Sequence, residues 1–126
     1  MKNIIVGTAQ LIGNYGITNF SNNNEKKILL FLDFCYSNSF VNFDTALEYR
    51  CEKIIGKFIK INNIKNINIS SKIPSLRNIK KSKKLDYIRQ CIERMTNDLN
   101  VNTIHNLYFH DERDFYFFRL NRKDIM

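Results

Sequence analysis

Short apolar runs alternate with longer stretches of helical periodicity along the whole chain, and this alternation restricts the fold more than any other feature. Asn3 to Gly7 reads as a nearly all-apolar strand, the pattern of a strand buried on both faces of a parallel sheet. Asn22, followed three residues later by Glu25, resembles a capping box ahead of Ile28, Leu29, Leu32, Cys35 and Tyr36, which predicts a helix ending near Asn38. Phe40 to Phe43 reads as a second strand terminating at Asp44. The segment from Glu48 to Ile61 then places Ile54, Ile55, Phe58 and Ile59 on one helical face. Asn66 to Ser71 gives a third strand. Ser82 to Leu99 gives a helix with Leu85, Ile88, Ile92, Met95 and Leu99 in register. Thr103 to Phe109 is a fourth strand, and Asp111 to Ile125 begins a fourth helix with an apolar cluster at Phe115, Tyr116, Phe117 and Phe118.

The order βαβαβαβα implies an α/β fold with parallel strands, right-handed crossovers and helices covering the sheet. About four such units fit either a small open doubly wound sheet or half of a closed barrel, and periodicity does not choose between them. A doubly wound sheet that bound a dinucleotide would carry G-x-G-x-x-G after its first strand. Gly7, Gly13 and Gly16 lack that spacing. At 126 residues the chain is one domain, 1–126, well short of the roughly 250 residues of a closed eight-stranded α/β barrel.

Composition adds little. The excess of Asn, Ile and Lys follows from A/T-rich codons and is given no functional weight. A formal charge of +8 favours anionic ligands in general, but Lys spread over solvated helix faces accounts for it. Three widely spaced cysteines, Cys35, Cys51 and Cys91, form neither a CxxC pair nor a zinc-finger arrangement with histidine, so no disulfide framework or metal site is expected. No signal-peptide core follows Lys2, and the run from Ile28 to Tyr36, broken by Asp33, is too short to span a bilayer. A reducing cytoplasm is the expected location.

The chemistry-bearing residues gather at strand ends. Gly7-Thr8-Ala9-Gln10 is followed by Tyr15-Gly16-Ile17-Thr18-Asn19. Asp44-Thr45-Ala46 is followed by Tyr49, Glu52 and Ile55-Gly56-Lys57. Ser71-Lys72-Ile73-Pro74 closes the third strand and Leu107-Tyr108-Phe109-His110 the fourth. Taken singly, Asp44 reads as a helix cap, Tyr49 as a half-buried aromatic, Lys72 as a strand-end cation and His110 as a loop histidine. In this order and placement they resemble the bacterial aldo-keto reductases, whose D-T-A-x-x-Y-G-x-S-E-x-x-I-G and T-K-x-P motifs they match over nearly the whole chain.

That resemblance implies the N-terminal half of a (β/α)8 TIM barrel, with its active site at the C-terminal ends of the strands. It also implies NADP-dependent reduction of a small carbonyl substrate by hydride transfer. Tyr49 would be the general acid, for a phenol with pKa near 10 donates poorly unless a nearby cation stabilises its anion. Lys72 would supply that cation, Asp44 would keep it charged and oriented, and His110 would hydrogen-bond the carbonyl. Asp44 would also approach the nicotinamide end of the cofactor. The family holds its cofactor mainly on the second half of the barrel, so the chain is expected to be C-terminally truncated, and inactive or weak as an isolated half.

The segment Tyr49-Arg50-Cys51-Glu52 is one residue shorter than Tyr-Gly-x-Ser-Glu. If the backbone after the tyrosine needs a positive φ, Arg50 is strained there. Cys51 beside Arg50 has no visible base and reads as structural. His105, an odd number of residues before His110, points to the opposite face of the strand and also reads as structural. Two other functions stay open at this stage. The half-barrel could assemble with itself or a second chain through its open sheet edges. Alternatively, Arg77, Lys80, Lys81, Lys83 and Lys84 could serve a non-enzymatic anion or nucleic-acid binder, although no recognition fold accompanies them and nucleic acid is not an expected partner.

Overall fold

The computed structural model describes residues 4–12 and 24–125. Four strands, β1 (Ile5–Gly7), β2 (Asn42–Asp44), β3 (Asn68–Ile73) and β4 (Asn106–Phe109), form one sheet in the order β1-β2-β3-β4. Every pairing is parallel, as the alternation requires. Four helices separate and follow the strands: α1 (Glu25–Ser37), α2 (Glu52–Ile61), α3 (Lys84–Leu99) and α4 (Asp114–Ile125). Sequential neighbours with no reversal of strand order are the arrangement of a barrel wall.

Local chemistry moves several boundaries. The observed cap of α1 is Asn24, whose side chain accepts a hydrogen bond from the Lys27 amide at 3.0 Å. The expected cap, Asn22, lies outside the described residues. The expected helix from Glu48 is interrupted: Leu47–Tyr49 is a 3₁₀ turn that ends at Arg50 in the left-handed region, φ 58°, and α2 starts only at Glu52. Likewise α3 is preceded by a 3₁₀ turn at Lys81–Lys83, and β3 runs to Ile73 rather than Ser71.

The helix-facing side of the sheet is the core. Phe43, Ile69 and Ile73 are fully buried there, against Ile55 and Phe58 of α2 and Ile88 and Met95 of α3. In α2 the intervening Lys53, Lys57 and Lys60 face outward, so the apolar stripe was correctly located by its spacing. Gly56 is required where α2 meets the end of α3: a Cβ there would lie 2.0 Å from the backbone oxygen of Asp98. The helices can approach this closely only because the position has no side chain.

The opposite side of the sheet is polar. Successive strand residues alternate between faces, and the register aligns Asn42 with Asn68 and Ser70 with Asn106. Their side chains join across the strands, Asn68 donating to Asn42 at 2.8 Å and Asn106 to Ser70 at 3.1 Å. The expectation that β1 is buried on both faces fails. Ile5 is 60% exposed, because its register with Asn42 turns it to the face of the sheet opposite the helices. At the β4 edge, Leu107, Tyr108, Phe115 and Tyr116 are exposed beside a cavity of about 680 Å³. Phe118 lies outside the residues whose side chains are described. No helix among the described residues is long and apolar enough to cross a membrane.

Candidate active site

Asp44, Tyr49, Lys72 and His110 converge at the C-terminal end of the sheet. Asp44 is the last residue of β2, Lys72 the penultimate residue of β3, and His110 follows β4 directly. The Lys72 ammonium donates to both carboxylate oxygens of Asp44, at 2.8 and 2.6 Å, and to the Thr45 carbonyl at 3.1 Å. Its side chain is only 21% exposed. Three oxygens in a partly dry setting satisfy the donors of an ammonium and fix its direction.

Tyr49 is buried on the 3₁₀ turn, and the Lys72 nitrogen stands 5.4 Å from its ring centroid. The His110 ring meets the Tyr49 ring edge to face, centroids 6.4 Å apart. Sequence spacing thus brings all four together. The reading of Asp44 as a mere helix cap is displaced, because both its oxygens are committed to Lys72.

The loops that carry these residues are stitched to one another. Thr8, just past β1, donates through both its amide and its hydroxyl to the Asp44 carbonyl, each at 3.0 Å. The Thr45 amide donates to Ser70 at 2.8 Å, and the His110 amide to Ile73 at 2.9 Å. Cys51 sits fully buried beneath the β2 loop, its sulfur 3.3 Å from the hydroxyls of Thr45 and Thr8. Burial pushes its thiol pKa up, and its contacts with Thr8 and Thr45 make it a buttress between the two loops. Arg50 adopts the left-handed conformation that its side chain disfavours, so the backbone after Tyr49 does take a positive φ. His105 is structural: its Nδ1 accepts from the Ile69 amide at 3.2 Å.

Two acidic residues stand near these four, and of them only Glu52 belongs to the motif read from sequence. Glu48 places Oε2 3.0 Å from Nδ1 of His110. No local pattern marks it, since its partner lies two strands away. Glu52, at the start of α2, is buried with Oε1 lacking a hydrogen-bond partner, and desolvation pushes its pKa up to about 7. Its position in a helix-opening turn gave no hint of burial. Lys80, Lys81 and Lys83, ahead of α3, are exposed, while the ammonium of Lys84, the first residue of α3, lies 5.3 Å from the Phe117 ring centroid.

Lys72 paired with Asp44, Tyr49 and His110 thus share the carboxyl-end rim of a parallel β/α wall. The aldo/keto reductase family model matches residues 3–115, and the chain belongs to that family. Solved structures agree in fold. The thermostable aldo-keto reductase Tm1743, solved with the inhibitor epalrestat, superposes with TM-score 0.62 at 21% identity, over 82% of this chain and 36% of its own. PA4992 of Pseudomonas aeruginosa, assigned to the same reductases, gives 0.69 at 18% identity, over 96% and 51%. An aldo-keto reductase of the silkworm Bombyx mori gives 0.64 at 19% identity, over 96% and 41%. The chain therefore spans between about a third and a half of the length of these structures. No curated protein matches the sequence significantly.

Proposed function

We propose that this chain supplies the proton-donating half of an NADP-dependent carbonyl reductase. The observation that carries the reading is the bidentate Lys72–Asp44 pair beside the buried Tyr49. Tyr49 is the general acid that protonates the carbonyl oxygen. The Lys72 charge stabilises the phenolate as it develops, and Asp44 holds that charge in place. His110, in contact with the Tyr49 ring, orients the substrate oxygen.

The residues fit the nicotinamide end of the cofactor. Gly7 pairs in register with Asp44, and nothing lies within 4 Å of where a Cβ on Gly7 would stand, which leaves open room at the head of β1 beside Asp44. Asp44 would border the nicotinamide in that space. When bound, the cofactor supplies hydride to the carbonyl carbon. No described residue is assigned to its adenosine phosphate, so these 126 residues on their own are expected to turn over weakly or not at all.

The test combines the purified chain with NADPH and a panel of aldehydes, alone and together with a separately produced second half of a related barrel. Turnover is expected only in the mixture, and Tyr49→Phe is expected to lower it about 10²- to 10⁴-fold. A mixture without Tyr49-dependent turnover sinks the reading. Turnover by the chain alone would remove the expected weakness.

A second reading is favoured by the two open edges. Ile5 on β1 is 60% exposed, and Tyr108 on β4 and Phe115 on α4 are 51% and 55% exposed. A parallel strand added to either edge would pair the exposed backbone. Sedimentation at about tens of micromolar is expected to show association for an interface of this kind, and a clean monomer would count against it.

A further inference from the structure

The three acceptors around the Lys72 ammonium belong to two adjacent residues, the carboxylate of Asp44 and the carbonyl of Thr45. The aim of the ammonium therefore depends on how the peptide joining Asp44 to Thr45 is held. Thr8 donates to the Asp44 carbonyl of that peptide through both its amide and its hydroxyl. A carbonyl oxygen only accepts, so the hydroxyl hydrogen of Thr8 is committed there. The 3.3 Å contact from the Cys51 sulfur to the Thr8 hydroxyl then uses the thiol hydrogen, for which the Thr8 carbonyl at 3.7 Å is a second acceptor. Having given its hydrogen to Thr8, the sulfur is left to accept, and its 3.3 Å contact with Thr45 uses the Thr45 hydroxyl hydrogen. The bonds run one way, from the Thr45 hydroxyl through Cys51 and Thr8 to the Asp44 carbonyl, and the Asp44–Thr45 peptide closes them into a ring. Thr8, Cys51 and Thr45 are all fully buried, so water does not compete for these groups. Burial also pushes the Cys51 pKa up, which keeps the hydrogen on the sulfur.

We propose that Thr8, Cys51 and Thr45 are positioning residues whose hydrogen-bonded ring locks the Asp44–Thr45 peptide and so fixes the three oxygens that aim the Lys72 ammonium. Rotation of that peptide would carry the Thr45 carbonyl away from Nζ and tilt the Asp44 side chain, and the ring opposes it from both ends. Cys51 acts on Lys72 through Thr45. That the aimed ammonium serves Tyr49 rests on the reductase reading, whereas the ring and the placement of the ammonium do not.

Magnetic resonance of the full chain, labelled with carbon-13 and nitrogen-15, tests this in two stages. In the unaltered chain the Thr8 and Thr45 hydroxyl hydrogens are expected to exchange slowly enough to be observed. Exchange as fast as that of the exposed Thr103 overturns the proposal, and this result needs no variant to fold. The second stage follows the Lys72 ammonium signal, identified by its loss in Lys72→Arg. Exchange of its hydrogens is expected to quicken by on the order of tenfold in Cys51→Ala and in Thr45→Val, with the amide signals of β3 and β4 unchanged as the report of the fold. Cys51→Ser, whose hydroxyl still donates once and accepts once, is expected to keep the slow exchange. An ammonium indifferent to Cys51→Ala overturns the proposal, and so does a Cys51→Ser chain that behaves like Cys51→Ala. Turnover does not enter either stage. Failure of the reductase reading would appear as absent Tyr49-dependent activity with these spectra intact.

Discussion

The two faces of the sheet are held by different forces. On the helix-facing side, Phe43, Ile69 and Ile73 are fully buried against α2 and α3, and their stabilisation is area removed from water. On the other side, Asn42 and Asn68, Ser70 and Asn106, and Asp44 and Lys72 are tied across strands by hydrogen bonds. A net hydrogen bond contributes only about 1 kcal/mol, whereas a buried aromatic ring contributes several times that. The apolar face therefore sets stability, and the polar face is free to hold charge near the site. The same strand serves both, because adjacent residues point to opposite sides.

Neighbouring positions on β2 make this contrast measurable. Phe43→Ala is expected to cost about 4 kcal/mol in denaturant unfolding, and Asn42→Ala about 1 kcal/mol. Equal losses would break the distinction between the faces. Gly56→Ala sharpens it on the helical layer. Its methyl group would collide with the Asp98 carbonyl, and a loss of about 3 kcal/mol is expected, with a thermal midpoint lowered to match. A neutral effect would mean that α2 and α3 are not packed at this distance.

Glu52 gives an effect that depends on pH. Its folded pKa is pushed up to about 7 by desolvation, above that of an exposed glutamate, so the folded state binds the extra proton. Its contribution is complete below the unfolded pKa and is lost as pH rises through about 7. Unfolding free energy is accordingly expected to fall by on the order of 2 kcal/mol between acidic and neutral pH, and Glu52→Gln to flatten that slope. An unchanged slope in the variant would show that Glu52 is hydrated.

Much of the fold was legible because helical and strand periods differ and α2 and α3 keep clean apolar stripes. The site was legible for a related reason: Asp44, Lys72 and His110 stand at or beside strand ends, and parallel strands bring those ends together. What was misread was local. Arg50 is an ordinary helix former, so nothing in composition signals a left-handed residue that breaks the expected helix between Glu48 and Ile61. Asn42, Asn68 and Asn106 looked like compositional excess, since strands of a few residues are too short to display alternation.

By itself the sequence determined the order of elements, the parallel sheet and the four residues that meet at the candidate site, because each is encoded in period or in position along a strand. Only the tertiary structure decided their partners. Glu48 beside His110, Cys51 beneath Thr8 and Thr45, and Glu52 buried without a full set of hydrogen bonds all depend on how loops from different strands meet. Those meetings follow from strand register and close helix approach, and neither is written in any local stretch of the chain.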